Sequence, residues 1–525
     1  MIAFEVLNVV EGTAPSVTPV DVDTLPLAAA VSNAATVSPF TGDKFFGGFG
    51  TTEFQIPDYW TLRARSSQLF TENLYARGIV RRLVTNEINT GLVVESVPDE
   101  RTLGAPEGSM LEWSENVEAR FTLWGRGRVV CDFRHEDTFG ALQRAARLEA
   151  LVSGDVLVAL RVSPATRGVQ VQLIRGDRVQ SPLGSEGSPK SGNKITHGVE
   201  VNPLGRVAAY WVLQDDGGIK RLPAYGEKSG RRLAWLVYGT DKRLDDLRGM
   251  PLLAIILQSL KELDRNRDAA QRKKLIHSIL AMFIEKTDDK PGTLPFTGAS
   301  VRRDTIDTTD TNGDRRRFNL AQQVPGVVFE NLQKGERPVG FSAQGADDRF
   351  GEFEEIVLSA IAWANEIPPE ILRLAFSNNY SASQAAINEF KIYLNKVWSD
   401  FGENFCEPIF SEWLINEVLL GRIEAPGLAD LWRDGLRYDM YAAYIATEWY
   451  GSIKPSTDVL KQAKGARLLI NEGLSTRTRE ARNSTGTSFA KNIKRLEREN
   501  AQLAAALAPI VALQDKINVD SEVVQ

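Results

Sequence analysis

Residues 250–284 carry a continuous helical signal that is apolar at both ends and charged in the middle. Asp264, Arg265, Arg267, Asp268, Arg272 and Lys273 crowd the stretch 261–274. At 1.5 Å per residue, about 35 helical residues reach about 50 Å. A helix that is apolar only at its ends cannot be an ordinary core helix. It has to bridge two bodies or pack sideways against copies of itself through ion pairs.

The flanking sequence is read around this rod. Residues 1–55 are rich in Val, Thr, Ala, Ser and Pro and show no long period, which predicts an extended arm. From 59 to 92 the spacing of Leu69, Leu74, Ile79, Leu83 and Ile88 predicts helix, ending at Asn89-Thr90-Gly91. A second helical run covers 139–152. The period then drops to two at 156–162, 168–173 and 206–212, which predicts strands separated by Gly, Pro, Asn and Asp. Residues 56–248 therefore read as one α+β domain.

Beyond the rod, 287–326 is polar and rich in Asp, Thr, Arg, Pro and Gly. A shorter helix is expected over 350–365, stopped by Ile367-Pro368-Pro369. Two helices thus flank a small polar module. A third long helix is expected from Ser381 or Ser383, with Ile387, Phe390, Leu394, Val397, Phe401 and Phe405 on one stripe. It runs to Leu420 with a kink expected at Pro408, and Gly421 ends it. Near the C-terminus, Phe489, Ile493, Leu496, Asn500, Leu503, Leu507 and Ile510 form a heptad series with Asn500 at an a position. Two readings stay open for it: self-association, or an amphipathic helix packed on its own chain.

Composition excludes several classes. With 525 residues the chain has room for roughly three or four domain-sized units. A hydrophobic share of 43% and a charged share of 25% exclude disorder of the whole chain. No stretch approaches the roughly 18 apolar residues of a membrane span, and the first residues do not read as a signal peptide. Two cysteines, Cys131 and Cys406, are too few for a disulfide framework and suit a reducing cytosol. With three histidines they leave little material for a zinc site. The net charge of −6 argues against tight clamping of a nucleic-acid duplex. Passage of DNA past an acidic wall is compatible with it, because repulsion prevents sticking.

No motif carries chemistry. In residues 184–191, Pro189 stands where a phosphate loop needs its last glycine, so the anion nest cannot form. Thr308, Asp310, Asn312 and Gly313 imitate part of a calcium loop, yet Asn319 replaces the bidentate Glu, and a turn is the better reading. His135 and His277 read as structural or solvated, and Glu354-Glu355 as a solvated face. The strongest local charge feature is Arg302-Arg303 with Arg315-Arg316-Arg317. It is either a solvated loop or a docking surface for an acidic partner or phosphate.

A series of short motifs nevertheless resembles the portal proteins of tailed bacteriophages, of the lambda type. It comprises Arg65-Ser66-Ser67-Gln68-Leu69, Gly91-Leu92, Ser153-Gly154-Asp155, Gly176-Asp177-Arg178-Val179 and His197-Gly198-Val199-Glu200-Val201. Gly205-Arg206, Ala209-Tyr210 and Arg248-Gly249-Met250-Pro251 continue it, then Ile361-Ala362 and Ile367-Pro368-Pro369-Glu370. Asn379-Tyr380-Ser381-Ala382-Ser383, Lys454-Pro455 and Gly473-Leu474-Ser475-Thr476 complete it, in family order over about residues 60–480. Gly154-Asp155 departs from the family's usual Gly-Glu, and Ser381-Ala382-Ser383 from a Ser-Ser pair.

The resemblance implies an α+β portal fold of wing, stem, clip and crown, with long helices around a central channel, in a ring of twelve copies. It implies an arm at 1–55, a wing at 56–248, stem helices at 249–285 and 336–366, and a clip at 286–335. The tunnel loop and channel helix would span 367–425, and the crown and C-terminal tail 426–525. Phe376, Ser377, Asn378, Asn379 and Tyr380 would face DNA, while the five arginines would dock partners on the clip. The implied partners are other copies of the chain, the terminase large subunit, a head–tail adaptor, the major capsid and scaffolding proteins, and double-stranded DNA in transit. No membrane, cofactor or catalysis is implied, and the location would be the virion vertex, with host cytoplasm during assembly. Two other readings are an enzyme of unknown class, such as a phage hydrolase, and a non-portal structural adaptor.

Overall fold

Asn73 interrupts what the spacing of apolar residues presents as one N-terminal helix. Its side chain accepts the Ala76 N–H at 2.9 Å and so opens a new helix. In the computed structural model the stretch divides into α1 (Tyr59–Glu72) and α2 (Leu74–Glu87). The structure describes residues 59–182, 192–279 (except 243 and 245), 283–286, 305–309, 315–319, 336–339, 350–373, 380–431, 437–451, 459–485, 487 and 489–522.

After α2 come β1 (Val93–Ser96), α3 (Glu100–Leu103), α4 (Leu111–Arg126), α5 (Arg128–Cys131) and α6 (Phe139–Ser153). Thr138 caps α6 by accepting the Ala141 N–H. The strands β2 (Asp155–Val162), β3 (Val169–Arg175), β4 (Lys194–Thr196), β5 (Val199–Val201), β6 (Val207–Leu213), β7 (Ile219–Pro223) and β8 (Ala234–Tyr238) follow. They form two antiparallel sheets, β3-β2-β8 and β4-β5-β6-β7. Of these, β4, β5, β7 and β8 escape the period-two reading, because the first two are three residues long and the last is apolar throughout.

The long helix α7 spans Leu252–Ile279. Strands β9 (Phe283–Lys286), β10 (Thr305–Thr309), β11 (Arg315–Asn319) and β12 (Glu336–Val339) make two small ladders, β10 with β11 and β12 with β9. Next come α8 (Phe350–Ala364), α9 (Pro369–Arg373) and α10 (Tyr380–Phe401). Where the third long helix is expected to kink, the chain departs from α geometry just before Pro408. A π turn at Gly402–Cys406 joins α10 to α11 (Glu407–Leu419), and Pro408 sits in the first turn of α11. The Asn404 carbonyl, which Pro408 cannot serve, accepts Trp235 Nε1 at 2.8 Å. The chain closes with α12 (Leu428–Leu431), α13 (Tyr438–Ile445), β13 (Thr447–Tyr450), α14 (Val459–Asn471), α15 (Arg477–Thr485) and α16 (Phe489–Glu522).

Three cores result. One gathers α4, α6, β2, β3, β8 and α11 around Phe121, Trp124, Phe405, Phe410 and Trp413. A second packs α1, α2, α7, α8, α9 and α10 through Ile79, Leu83, Leu253, Leu260, Ile361 and Phe390. The third lies between the two sheets around Leu157, Val199 and Tyr210. The first core continues past residue 426. Leu428, Tyr444 and Trp449 belong to it, because β13 pairs antiparallel with β1, Val93 opposite Tyr450.

Along α16, Ile493, Leu496, Leu503 and Leu507 are exposed, while Lys494 pairs with Glu115 of α4. Among the described residues no helix is long and apolar enough to cross a membrane.

Candidate functional site

The base of α7 is held by a buried ionic joint. Asp155 opens β2 and is fully buried. Arg248, four residues before α7, donates to both of its carboxylate oxygens, Nε to Oδ2 at 2.8 Å and Nη2 to Oδ1 at 2.9 Å. Arg63 of α1 approaches Oδ1 at 2.5 Å, and the Gly249 N–H donates to Oδ2 at 2.9 Å. Arg248 also donates to the carbonyls of Gly176 (2.5 Å), Val179 (2.9 Å) and His197 (2.6 Å). Those carbonyl dipoles replace the water that a buried guanidinium loses. Ser66 ties α1 to the end of α6 by donating to the Val152 carbonyl at 2.6 Å.

Close backbone approach makes the joint possible. Gly154 has φ +93°, and a Cβ there would strike the Gly249 carbonyl. A Cβ on Gly176 would strike both the Asp155 carboxylate and the Arg63 guanidinium.

Two cations on one carboxylate leave the site electropositive. Burial alone would raise the Asp155 pKa, but Arg248 and Arg63 outweigh it and hold it at about 2. Burial, with Arg248 and Arg63, lowers that of His197, whose ring also meets Trp60 edge-on at 6.4 Å.

Two further ties bind the helices to the sheets. Glu87 of α2 accepts Arg147 Nε at 2.6 Å and the Tyr393 hydroxyl at 2.6 Å, and its carbonyl accepts Trp398 Nε1 at 2.7 Å. Arg147 also donates to the Gly239 carbonyl at 3.0 Å. Elsewhere Arg231 donates to Glu412, through Nε at 2.5 Å to the carboxylate and through Nη2 at 2.9 Å to the carbonyl. Burial pushes the Cys131 thiol up to about 12 and the Cys406 thiol well above its ordinary value, which disfavours the thiolate. What this arrangement can do is mechanical, fixing one end of a long helix against a sheet.

The residues singled out in the sequence fall elsewhere. Phe376, Ser377, Asn378, Asn379, Arg302 and Arg303 lie outside the described residues, as does 184–191. Tyr380 is the first residue of α10. Arg315, Arg316 and Arg317 lie on β11, opposite Thr309, Thr308 and Asp307 of β10. That register puts Thr308 and Asn319 on paired strands, not on the continuous loop a calcium site requires. Arg63, Glu87 and Arg147 were missed, since each is a lone charge inside a helical pattern. Asp155, Gly176, His197 and Arg248 were seen only as motif fragments, and the structure brings these four fragments to one point.

Comparison with known proteins agrees with those fragments. The family described as phage portal protein, lambda family, matches residues 50–396. The chain belongs to that family. It is 22% identical over 464 residues to Portal protein B of Escherichia phage lambda, covering 86% of this chain and 85% of that protein. With the portal protein of Escherichia phage N15 it shares 23% identity over 468 residues, 86% of each chain. Among solved structures, the neck of the native gene transfer agent particle, computed with C12 symmetry, contains a chain similar at 13% identity and TM-score 0.39. That match covers 81% of this chain and 92% of the other.

Proposed function

We propose that this chain is the subunit of a twelve-membered portal ring through which double-stranded DNA enters the capsid and later leaves it. The observation that carries the reading is α7. Its first half is buried through Leu253, Ile256, Leu260 and Leu263, whereas Lys261, Glu262, Arg265, Asp268 and Arg272 are exposed. A helix of 28 residues, about 42 Å long, clamped at one end by Asp155 and charged beyond, suits the wall of an assembly better than the core of a monomer.

In this reading residues 56–248 are the wing, 249–285 and 336–366 the stem, and 286–335 the clip. Residues 367–425 hold the tunnel loop and channel helix, and the crown and tail follow from 426. The clip, with Arg302, Arg303 and Arg315 to Arg317, meets the terminase large subunit during packaging and the head–tail adaptor afterwards. Phe376 to Tyr380 face the passing duplex, and capsid and scaffolding proteins surround the ring at one vertex of the virion. ATP hydrolysis belongs to the terminase. Negative-stain imaging and light scattering of the purified chain test this: annular particles of about twelve copies are expected, and a persistent monomer removes the reading.

A further inference from the structure

Helix α8 has two apolar faces, and the core uses one. Ile361 is buried in the core shared with α7, with Val357 and Leu358 packed against it, and Ala362 is buried as well. On the other side Phe353, Ile356, Ala360 and Trp363 follow one another at helical spacing and are exposed, Trp363 by 85% and Ile356 by 68%. A tryptophan left in water on such a stripe marks a surface made for contact.

Charge and height select the occupant. Leu253 near the start of α7 shares a core with Ile361 near the end of α8, while Tyr75 bridges Arg267 and Glu354 farther along, so the two helices run antiparallel. Tyr75 fixes their relative height: its hydroxyl donates to Glu354 at 3.0 Å, and Arg267 lies over its ring at 5.8 Å. Counting from that level at 1.5 Å per residue, Trp363 lies within about one turn of exposed Ile255 on α7. By the same count Glu352 lies about one turn from both Arg265 and Arg272. All three of those charged residues are exposed. In the ring reading above α7 and α8 run along the ring axis, and rotation about that axis preserves height, so residues at equal height in one copy meet across a head-to-tail contact between copies.

We infer that the outer stripe of α8 packs on the exposed face of α7 of a second copy, Trp363 beside Ile255 and Glu352 beside Arg265 and Arg272. This rests on the ring reading above and names the contact that closes it. Arg267 takes no part, because it is turned inward, 2.7 Å from Asp264 of its own helix.

The test is ring yield, by light scattering and negative stain, with circular dichroism to show that each variant folds. Replacing both Ile356→Ser and Trp363→Ser removes solvent-exposed groups only, so folding is kept while each contact weakens about tenfold or more. Over a whole ring the annular fraction is lost. Glu352→Arg and Arg265→Glu each lower the yield at low salt, and the two together restore it. A folded serine variant with full ring yield assigns the stripe to another occupant and overturns the inference, as does a charge-swapped double variant that recovers nothing. If the wild-type chain itself forms no ring, the portal reading fails first, and the two failures remain distinct.

Discussion

Changing Asp155→Asn removes a single negative charge from a place where two cations depend on it. The side chain keeps its shape, but Arg63 and Arg248, 2% and 7% exposed, lose the charge of the carboxylate that both approach. Breaking a buried pair by deleting one partner costs about 3–5 kcal/mol. The pKa gives an independent figure: from an ordinary 3.8 to about 2 corresponds to about 2 kcal/mol. The larger figure includes the cost to the two buried guanidinia of losing that charge, so it is the better guide to the Asn variant. Asp155 has a depressed pKa, so its contribution is present above its unfolded value near 3.8 and fades as pH falls toward 2. Urea unfolding, followed by tryptophan fluorescence, should show the variant less stable by several kcal/mol near neutral pH. The gap should narrow between about pH 4 and pH 2, where the wild-type carboxyl itself takes up a proton. A variant as stable as wild type at neutral pH, or a gap independent of pH, would refute the claim that charge holds the joint.

Three other outcomes are expected. Glu87→Gln leaves Arg147 buried without its counter-ion and should destabilise by about 3 kcal/mol or more, and adding Arg147→Met should recover part of that in a double-mutant cycle. Replacing Arg302, Arg303, Arg315, Arg316 and Arg317 with Ser should spare the ring and reduce capture of the terminase or adaptor in a pull-down. Unchanged capture would make the run a solvated face. Asn378→Lys with Asn379→Lys should leave rings intact and lower the DNA packaged in a terminase-driven assay, because lysines around a duplex hold phosphates.

How much of this was legible depended on how local the cause was. The helices 350–365 and 139–152 and the strand at 156–162 follow from apolar spacing and nearby breakers, and the structure holds them within a residue or two. The split at Asn73 and the π turn were harder. Each is set by one side chain or carbonyl finding a partner, and for Asn404 that partner is Trp235, far away in sequence. The joint at Asp155 was legible only as scattered fragments. Single-sequence patterns carry no sign that Arg63 and Arg248 share the Asp155 carboxylate, since their meeting is decided by how three elements pack.

The pairing of β1 with β13 bears on how the chain matures during synthesis. Val93 waits for Tyr450, Glu87 for Trp398, and Trp113 for the Glu424 carbonyl; the last two pairs are each 311 residues apart. At ribosomal speeds of about 5–20 residues per second, the early helices and an open strand edge stand unfinished for roughly 15–60 s. Contacts of such long range also make the closing step slow. The first core therefore closes only after most of the chain has left the ribosome, so a truncated product exposes Trp124 and the edge of β1 to aggregation or proteolysis.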